Sequence, residues 1–190
     1  MAYPAKTDRA AILAVAMKHV ENEGVEHLAI RSVASTLGLA PNALYRYFDS
    51  LAALEAALAE EVRLRMLEIM QKAAGRKGPA ETIRAIAEAY LLFAQQQPRL
   101  FALYLKTSGE TIEPTPQCAR NTEFFVAQVT RIYGEKRAMQ AAHALWALLH
   151  GIAVMREASV LTKEQAASNL KFGVQMWIDA ASTESQSSKR

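Results

Sequence analysis

An all-α protein is predicted by three observations. Alanine, the strongest helix former, occurs 36 times in 190 residues. Apolar residues recur at spacings of three and four, and no stretch alternates with period two long enough to make a strand. Glycine and proline cut the chain into segments of helical length, about nine of them. The expected architecture is an N-terminal three-helix head built on a helix-turn-helix, followed by a C-terminal helical bundle.

Each element has its own start and stop. The first helix is expected from Thr7, read as N-cap, to Glu23, with Ile12, Val15, Ala16 and Val20 as its apolar stripe and Gly24 as its stop. A short helix, 30–37, is stopped by Gly38. A second short one, 41–47, starts with Pro41 at its first position. Asp49 and Ser50 cap a long helix, 51–74, and Gly75 to Pro79 is the clearest break. Further helices are expected at 80–96, 99–108, 116–133, 136–158 and 163–181. Thr162 and Gln165 have the spacing of a capping box. The polar segment 182–190 is expected to be a disordered tail. The domains expected are 1–50 and 51–181.

Composition excludes several function classes. With 51% apolar and 22% charged residues the chain can bury a sizeable core. One cysteine, Cys118, excludes an internal disulfide framework and any multi-cysteine metal site, and suits a reduced, cytoplasmic setting. The longest uncharged run, Ala138–Met155, carries Gln140, His143, His150 and Gly151, so it reads as a helix buried on two faces, not as a membrane span. No glycine-rich phosphate loop, nucleophile elbow or framed carboxylate pair is present, so no enzyme is expected. His143 and His150 are seven apart without further ligands, so no metal is expected. No cofactor is implied.

Net charge is +3, and residues 1–50 sum to zero, so bulk charge does not announce nucleic acid. Local charge is more informative. Between Leu28 and Phe48 there are two arginines and no acid. Here two short helices flank the turn Gly38-Leu39-Ala40, as in a helix-turn-helix, whose second helix can enter a major groove. Leu44 and Phe48, four apart, face the bundle. Pro41, Asn42, Ala43, Tyr45, Arg46 and Tyr47 face outward, with Arg31 behind them. Tyr45 and Tyr47 suit phosphate contacts, and Asn42 and Arg46 suit base edges.

The run Val33-Ala34-Ser35-Thr36-Leu37-Gly38-Leu39-Ala40-Pro41-Asn42-Ala43-Leu44-Tyr45-Arg46-Tyr47-Phe48 resembles the DNA-binding head of the tetracycline-repressor (TetR) family, with its Leu-Tyr-x-x-Phe recognition helix. The resemblance covers residues 7–58. It implies a homodimeric transcriptional regulator, usually a repressor, whose C-terminal effector domain shifts the DNA-reading heads. Three positions depart from the family pattern. Ala29 and Ala40 stand where Ser or Thr commonly caps the two short helices, at about 1 kcal/mol each. Leu51 stands where a phosphate-binding lysine is common. Further on, Gln97-Pro98-Arg99-Leu100-Phe101 resembles the start of a middle helix in that family. Trp146-Ala147-Leu148-Leu149-His150-Gly151 resembles the Trp-x-x-x-His-Gly signature of one class of its C-terminal domains.

Bulky residues of the middle helices supply a candidate pocket for a small apolar or amphipathic effector: Tyr90, Phe93, Phe101, Tyr104, Leu105, Phe124, Phe125, Gln128, Trp146 and His150. The alternative for each is an ordinary core position. The last two helices are apolar on more than one face, and in the family such helices pair with their copies. The candidate dimer residues are Ala142, Leu145, Leu149, Ile152, Leu170, Val174 and Trp177. Two-fold symmetry then implies double-stranded DNA with a pseudo-palindromic operator as partner. The competing reading is a helical ligand carrier with no DNA role.

Overall fold

The computed structural model describes residues 7–108 and 116–187, with side chains to 105 in the first stretch and to 182 in the second. The described residues form nine α-helices and one 3₁₀ turn. They are α1 (Arg9–Glu23), α2 (Ile30–Thr36), α3 (Pro41–Leu44), α4 (Leu51–Ala74), α5 (Pro79–Gln96), α6 (Pro98–Ser108), α7 (Pro116–Tyr133), α8 (Glu135–Glu157) and α9 (Lys163–Ser187), with the 3₁₀ turn at Val25–His27. The chain is all-α, as the alanine content and apolar spacing require.

Two compact units divide the chain. The first takes residues 1–63 and 99–113, the second 64–98 and 114–190. In the first unit, Ile12, Ala16 and Val20 of α1, Val33 and Ala34 of α2, Leu44 and Phe48, and Leu54 and Leu58 of α4 are buried. Helix α6 belongs to this unit. Its Arg99 guanidinium donates to the carbonyls of Glu21 (3.1 Å) and Asn22, capping the last turn of α1, and Leu100, Phe101 and Leu103 are fully enclosed.

In the second unit α5 packs against α7, α8 and α9, and α8 lies between α7 and α9. Gly173 lets α8 and α9 approach closely, since a Cβ there would stand 2.8 Å from Leu148 Cδ2. Trp177 donates its indole N–H to the Ala141 carbonyl at 3.0 Å, and its ring centroid lies 4.6 Å from that of Tyr133. By length and apolarity alone α8 is the one described helix that could cross a membrane. Its Ala138, Ala142, Leu145, Leu149 and Ile152 are instead buried in the bundle.

Local chemistry explains the boundaries. The N-cap of α1 is Asp8, not Thr7: its carboxylate accepts from the Ala11 amide at 2.8 Å. Gly24, with φ +93°, ends the helix as expected. Ser50 Oγ accepts from the Ala53 amide at 3.1 Å. The Thr162–Gln165 capping box closes at 2.8 and 3.2 Å. Helix α9 runs on to Ser187 instead of stopping at 181, because no glycine or proline follows to break it. Residues 188–190 of the expected tail lie outside the described residues.

Candidate nucleic-acid interface and effector core

The turn between α2 and α3 closes as a Schellman motif. The Leu39 amide donates to the Ala34 carbonyl at 2.9 Å and the Gly38 amide to the Ser35 carbonyl at 3.0 Å. Gly38 sits at φ +67° with open space around its Cα, so glycine is required by the backbone angle alone. Neither Ala29 nor Ala40 offers a side-chain cap, as their chemistry dictates. Pro41 starts α3 with φ already set, and α-helical geometry lasts only to Leu44, after which residues 45–47 form a turn. The expected helix 41–47 is thus shorter than its sequence suggested. The Tyr47 and Phe48 amides still donate to the Leu44 carbonyl, at 2.9 and 3.0 Å.

Leu44 and Phe48 are buried, and the Arg9 guanidinium lies 4.8 Å above the Phe48 ring. Arg31, Pro41, Asn42, Tyr45, Arg46 and Tyr47 are exposed, and Ala43 is half-buried. Tyr45 is 49% exposed and Tyr47 37%, and the two differ in what their hydroxyls can do. The Tyr47 hydroxyl already donates to the Thr7 carbonyl, so toward a further partner it can only accept. Tyr45 is the better phosphate donor of the pair. Two braces had no signal in the sequence beyond residue type. His19 Nε2 lies 3.1 Å from Thr36 Oγ1, which itself donates to the Ser32 carbonyl, so α1 and α2 are tied together by a Nε2–H imidazole. The other is Arg99 on the α1 terminus.

The ten candidate pocket residues are divided between the two units. Phe101 and Tyr104 stack at 6.3 Å and belong, with half-buried Leu105, to the first unit. In the second unit Phe125 meets the edge of Trp146 at 5.1 Å, and Tyr90 lies 6.3 Å from Trp146 and 5.4 Å from His150. The Trp146 indole N–H donates to His150 Nε2 at 2.9 Å, and His150 Nδ1 lies 3.0 Å from the Trp146 carbonyl. An indole only donates and a carbonyl only accepts, so the imidazole is neutral with its proton on Nδ1. Burial pushes its pKa below the usual 6.5, opposed by the backbone bond. The Tyr90 hydroxyl stands 3.2 Å from both ring nitrogens. Phe93 is buried, Phe124 half-buried, and the Gln128 carbonyl oxygen is taken by Arg131 at 3.0 Å. The Trp-x-x-x-His spacing therefore makes a hydrogen-bonded aromatic cluster.

A groove enclosing about 460 Å³ lies instead between α5 and α9, and none of the ten candidates lines it. The candidate dimer residues also stand elsewhere than expected. Ala142, Leu145, Leu149, Ile152, Leu170 and Val174 are buried within the single chain, and Trp177 is half-buried. Their large apolar side chains are used to hold α8 and α9 in the bundle. The open face is the one beside it. On α8 it presents Ala144, Ala147, Gly151, Val154 and Met155, and on α9 Phe172 (68% exposed) and Met176 (57%). Among the described residues no group of His, Cys, Asp and Glu has metal-binding geometry.

Comparison with known proteins agrees with this architecture. Residues 83–170 match the family model of the tetracyclin repressor-like C-terminal domain. An uncharacterised HTH-type transcriptional regulator of Mycobacterium tuberculosis is 26% identical over 165 residues, covering 85% of this chain and 75% of that protein. Another from Bacillus subtilis is 23% identical, covering 88% of each. Among solved structures, a protein of unknown function from Rhodococcus sp. RHA1 superposes with a TM-score of 0.79 at 24% identity, covering 94% of this chain and 97% of that one. A TetR variant from Acinetobacter baumannii AYE, in complex with minocycline, superposes at 0.70 with 20% identity, covering 92% and 96%.

Two measurements follow. Gly38→Ala should lower the unfolding free energy by about 1–2 kcal/mol in urea titrations, the cost of a left-handed angle with a Cβ, and should weaken DNA binding with it. Stability should also fall with acid. The folded pKa of His150 is depressed, so the unfolded chain binds the proton first. Its contribution is full above about pH 6.5 and is lost as pH falls through the folded value. Urea titrations at pH 7 and pH 5 should show a loss that is smaller in His150→Gln, which keeps an acceptor for Trp146. An unchanged loss would remove His150 as its source. The chain shares the fold of the TetR-type regulators and is related in sequence to HTH-type transcriptional regulators over most of its length.

Proposed function

We propose that the chain is a TetR-type DNA-binding transcriptional regulator, acting in the cytoplasm as a homodimeric repressor that a small apolar or amphipathic ligand releases from a pseudo-palindromic operator. The observation that carries this reading is the α2–α3 turn. It holds a one-turn helix whose outer face, Asn42, Tyr45 and Arg46, is exposed and free of acids while Leu44 and Phe48 anchor it from within. Arg46 and Asn42 have the donor geometry for base edges, and Tyr45 and Arg31 for phosphates. The minocycline complex of a structural neighbour supports small-molecule binding by this fold. Release requires that the ligand bind better to the conformation whose heads do not fit the operator.

The dimer surface proposed from the structure is the open α8–α9 face centred on Phe172 and Met176, replacing the set read from the sequence. Two exposed aromatic and thioether side chains four residues apart, beside a small-residue stripe on α8, suit a helix face that meets its own copy. Two-fold symmetry suits a pseudo-palindromic operator, whose half-sites repeat at about 34–36 Å or a multiple of it.

Fluorescence anisotropy with the chain's own upstream DNA against scrambled DNA tests the reading. Sequence-preferring binding that weakens with salt is expected. Tyr45→Ala should weaken it about tenfold or more without unfolding the head, a change of roughly 1–3 kcal/mol for an anchoring contact. Salt-independent, sequence-blind binding in a genome-wide selection would favour the carrier. In sedimentation, Phe172→Asp should shift the chain from dimer to folded monomer and cost operator affinity, whereas Leu145→Asp should unfold it. A dimer undisturbed by Phe172→Asp would place the interface elsewhere.

A further inference from the structure

The α5–α9 groove has an apolar floor and a cationic end. Helices α5 and α9 run antiparallel across it. At one end Arg84 Nη2 donates to Gln175 Oε1 at 2.8 Å, and at the other Gln95 stands with Lys163. The floor is made by Ala87, Leu91, Leu92, Ala167, Leu170 and Val174. From Arg84 to Gln95 is eleven residues, a trough about 16 Å long at 1.5 Å per residue. Beyond Lys163 it continues into a second depression of about 360 Å³, which shares Leu91, Leu92, Gln95 and Lys163 and adds Arg156 and Glu157.

The charge along this path is uneven. Arg84, Arg156, Lys163 and Lys171 line the two depressions against the carboxylates of Glu88 and Glu157. Arg84 is occupied by Gln175. Arg156 is within electrostatic reach of the exposed Glu164 carboxylate, as is Lys163, but its Nε is buried and has no hydrogen-bond partner among the described residues. A buried guanidinium N–H without an acceptor costs free energy that a bound anion would recover. Lys163 stands beside it at the first turn of α9, where the helix dipole adds to the positive potential. The floor meanwhile leaves Leu92 half exposed to water.

We infer that this groove binds an amphipathic anion of the alkyl carboxylate class, its chain along the α5–α9 floor and its carboxylate between Arg156 and Lys163. The chain would cover Leu92 and Leu170, and the head would pair with the Arg156 guanidinium and the Lys163 ammonium. The assignment deepens the proposed function, resting on the reading of the second unit as effector-responsive. It places the effector on an open groove instead of in the aromatic core. The groove faces away from Phe172 and Met176, which lie on another side of α9, so ligand and second copy need not compete.

Calorimetry of the full-length protein with dodecanoate, below its micellar concentration, tests this without DNA. Saturable binding is expected, at least tenfold weaker in Lys163→Glu and in Arg156→Gln, and lost in Leu92→Glu. Dodecyltrimethylammonium, with the same chain and opposite charge, should bind at least tenfold more weakly than dodecanoate. Absent binding, equal binding of both amphiphiles, or wild-type binding by Lys163→Glu would each overturn the inference. The DNA titration tests the regulator separately, so the two can fail independently. Sedimentation of Leu92→Glu closes the remaining route: a shift from dimer to monomer would show that a second copy occupies the groove, overturning the ligand assignment.

Discussion

A helix with four α-helical residues cannot hold its own shape. Helix nucleation is unfavourable, and neither Ala29 nor Ala40 supplies a side-chain cap. What fixes α3 is the burial of Leu44 and Phe48, reinforced by Arg9 over the Phe48 ring and by the Gly38 turn. Burying two such side chains is worth roughly 1.5–3 kcal/mol each, enough to offset the missing caps. The outward placement of Asn42, Tyr45 and Arg46 is the geometric remainder of that anchoring. The Tyr47–Thr7 and His19–Thr36 bonds then tie the turn to both ends of α1 and to α2.

The second unit separates two kinds of interior that look alike in composition. Tyr90, Phe125, Trp146 and His150 form a core in which each polar atom of Trp146 and His150 has a partner. Such a set rewards being left closed, since a ligand would have to replace every bond it broke. The α5–α9 groove is the opposite case. It is open and apolar along its floor, and Arg156 Nε is unmatched at one end. Recognition chemistry belongs where apolar surface is left uncovered and a polar atom is left without a hydrogen-bond partner.

The sequence disclosed most of the fold because the information lay in local steric rules. Gly24, Gly38, Pro41, Pro79, Pro98 and Gly134 mark helix ends through allowed angles and missing donors, and the helices begin and end beside them. The reading failed where the outcome depended on which of two neighbours wins. Asp8, not Thr7, caps α1 because a carboxylate accepts from the Ala11 amide. Periodicity also showed that α8 and α9 have apolar residues on more than one face, but not which face the chain covers itself. Leu145, Leu149 and Leu170 went inward, leaving the equally bulky Phe172 and Met176 outside. The groove was invisible for the same reason: Leu92, Lys163 and Lys171 are unremarkable singly and become a site only when α5 and α9 lie antiparallel.

The inward set on α8 and α9 has one more consequence. Many symmetric assemblies have no stable folded subunit, because the core is completed only by the partner. Here Ala142, Leu145, Leu149 and Leu170 complete it within one polypeptide, and Gly173 lets the two helices stand at contact distance. Whatever meets Phe172 and Met176 meets a finished surface. On the proposed dimer, assembly would then be a rigid-body event whose equilibrium is set by protein concentration and not by folding.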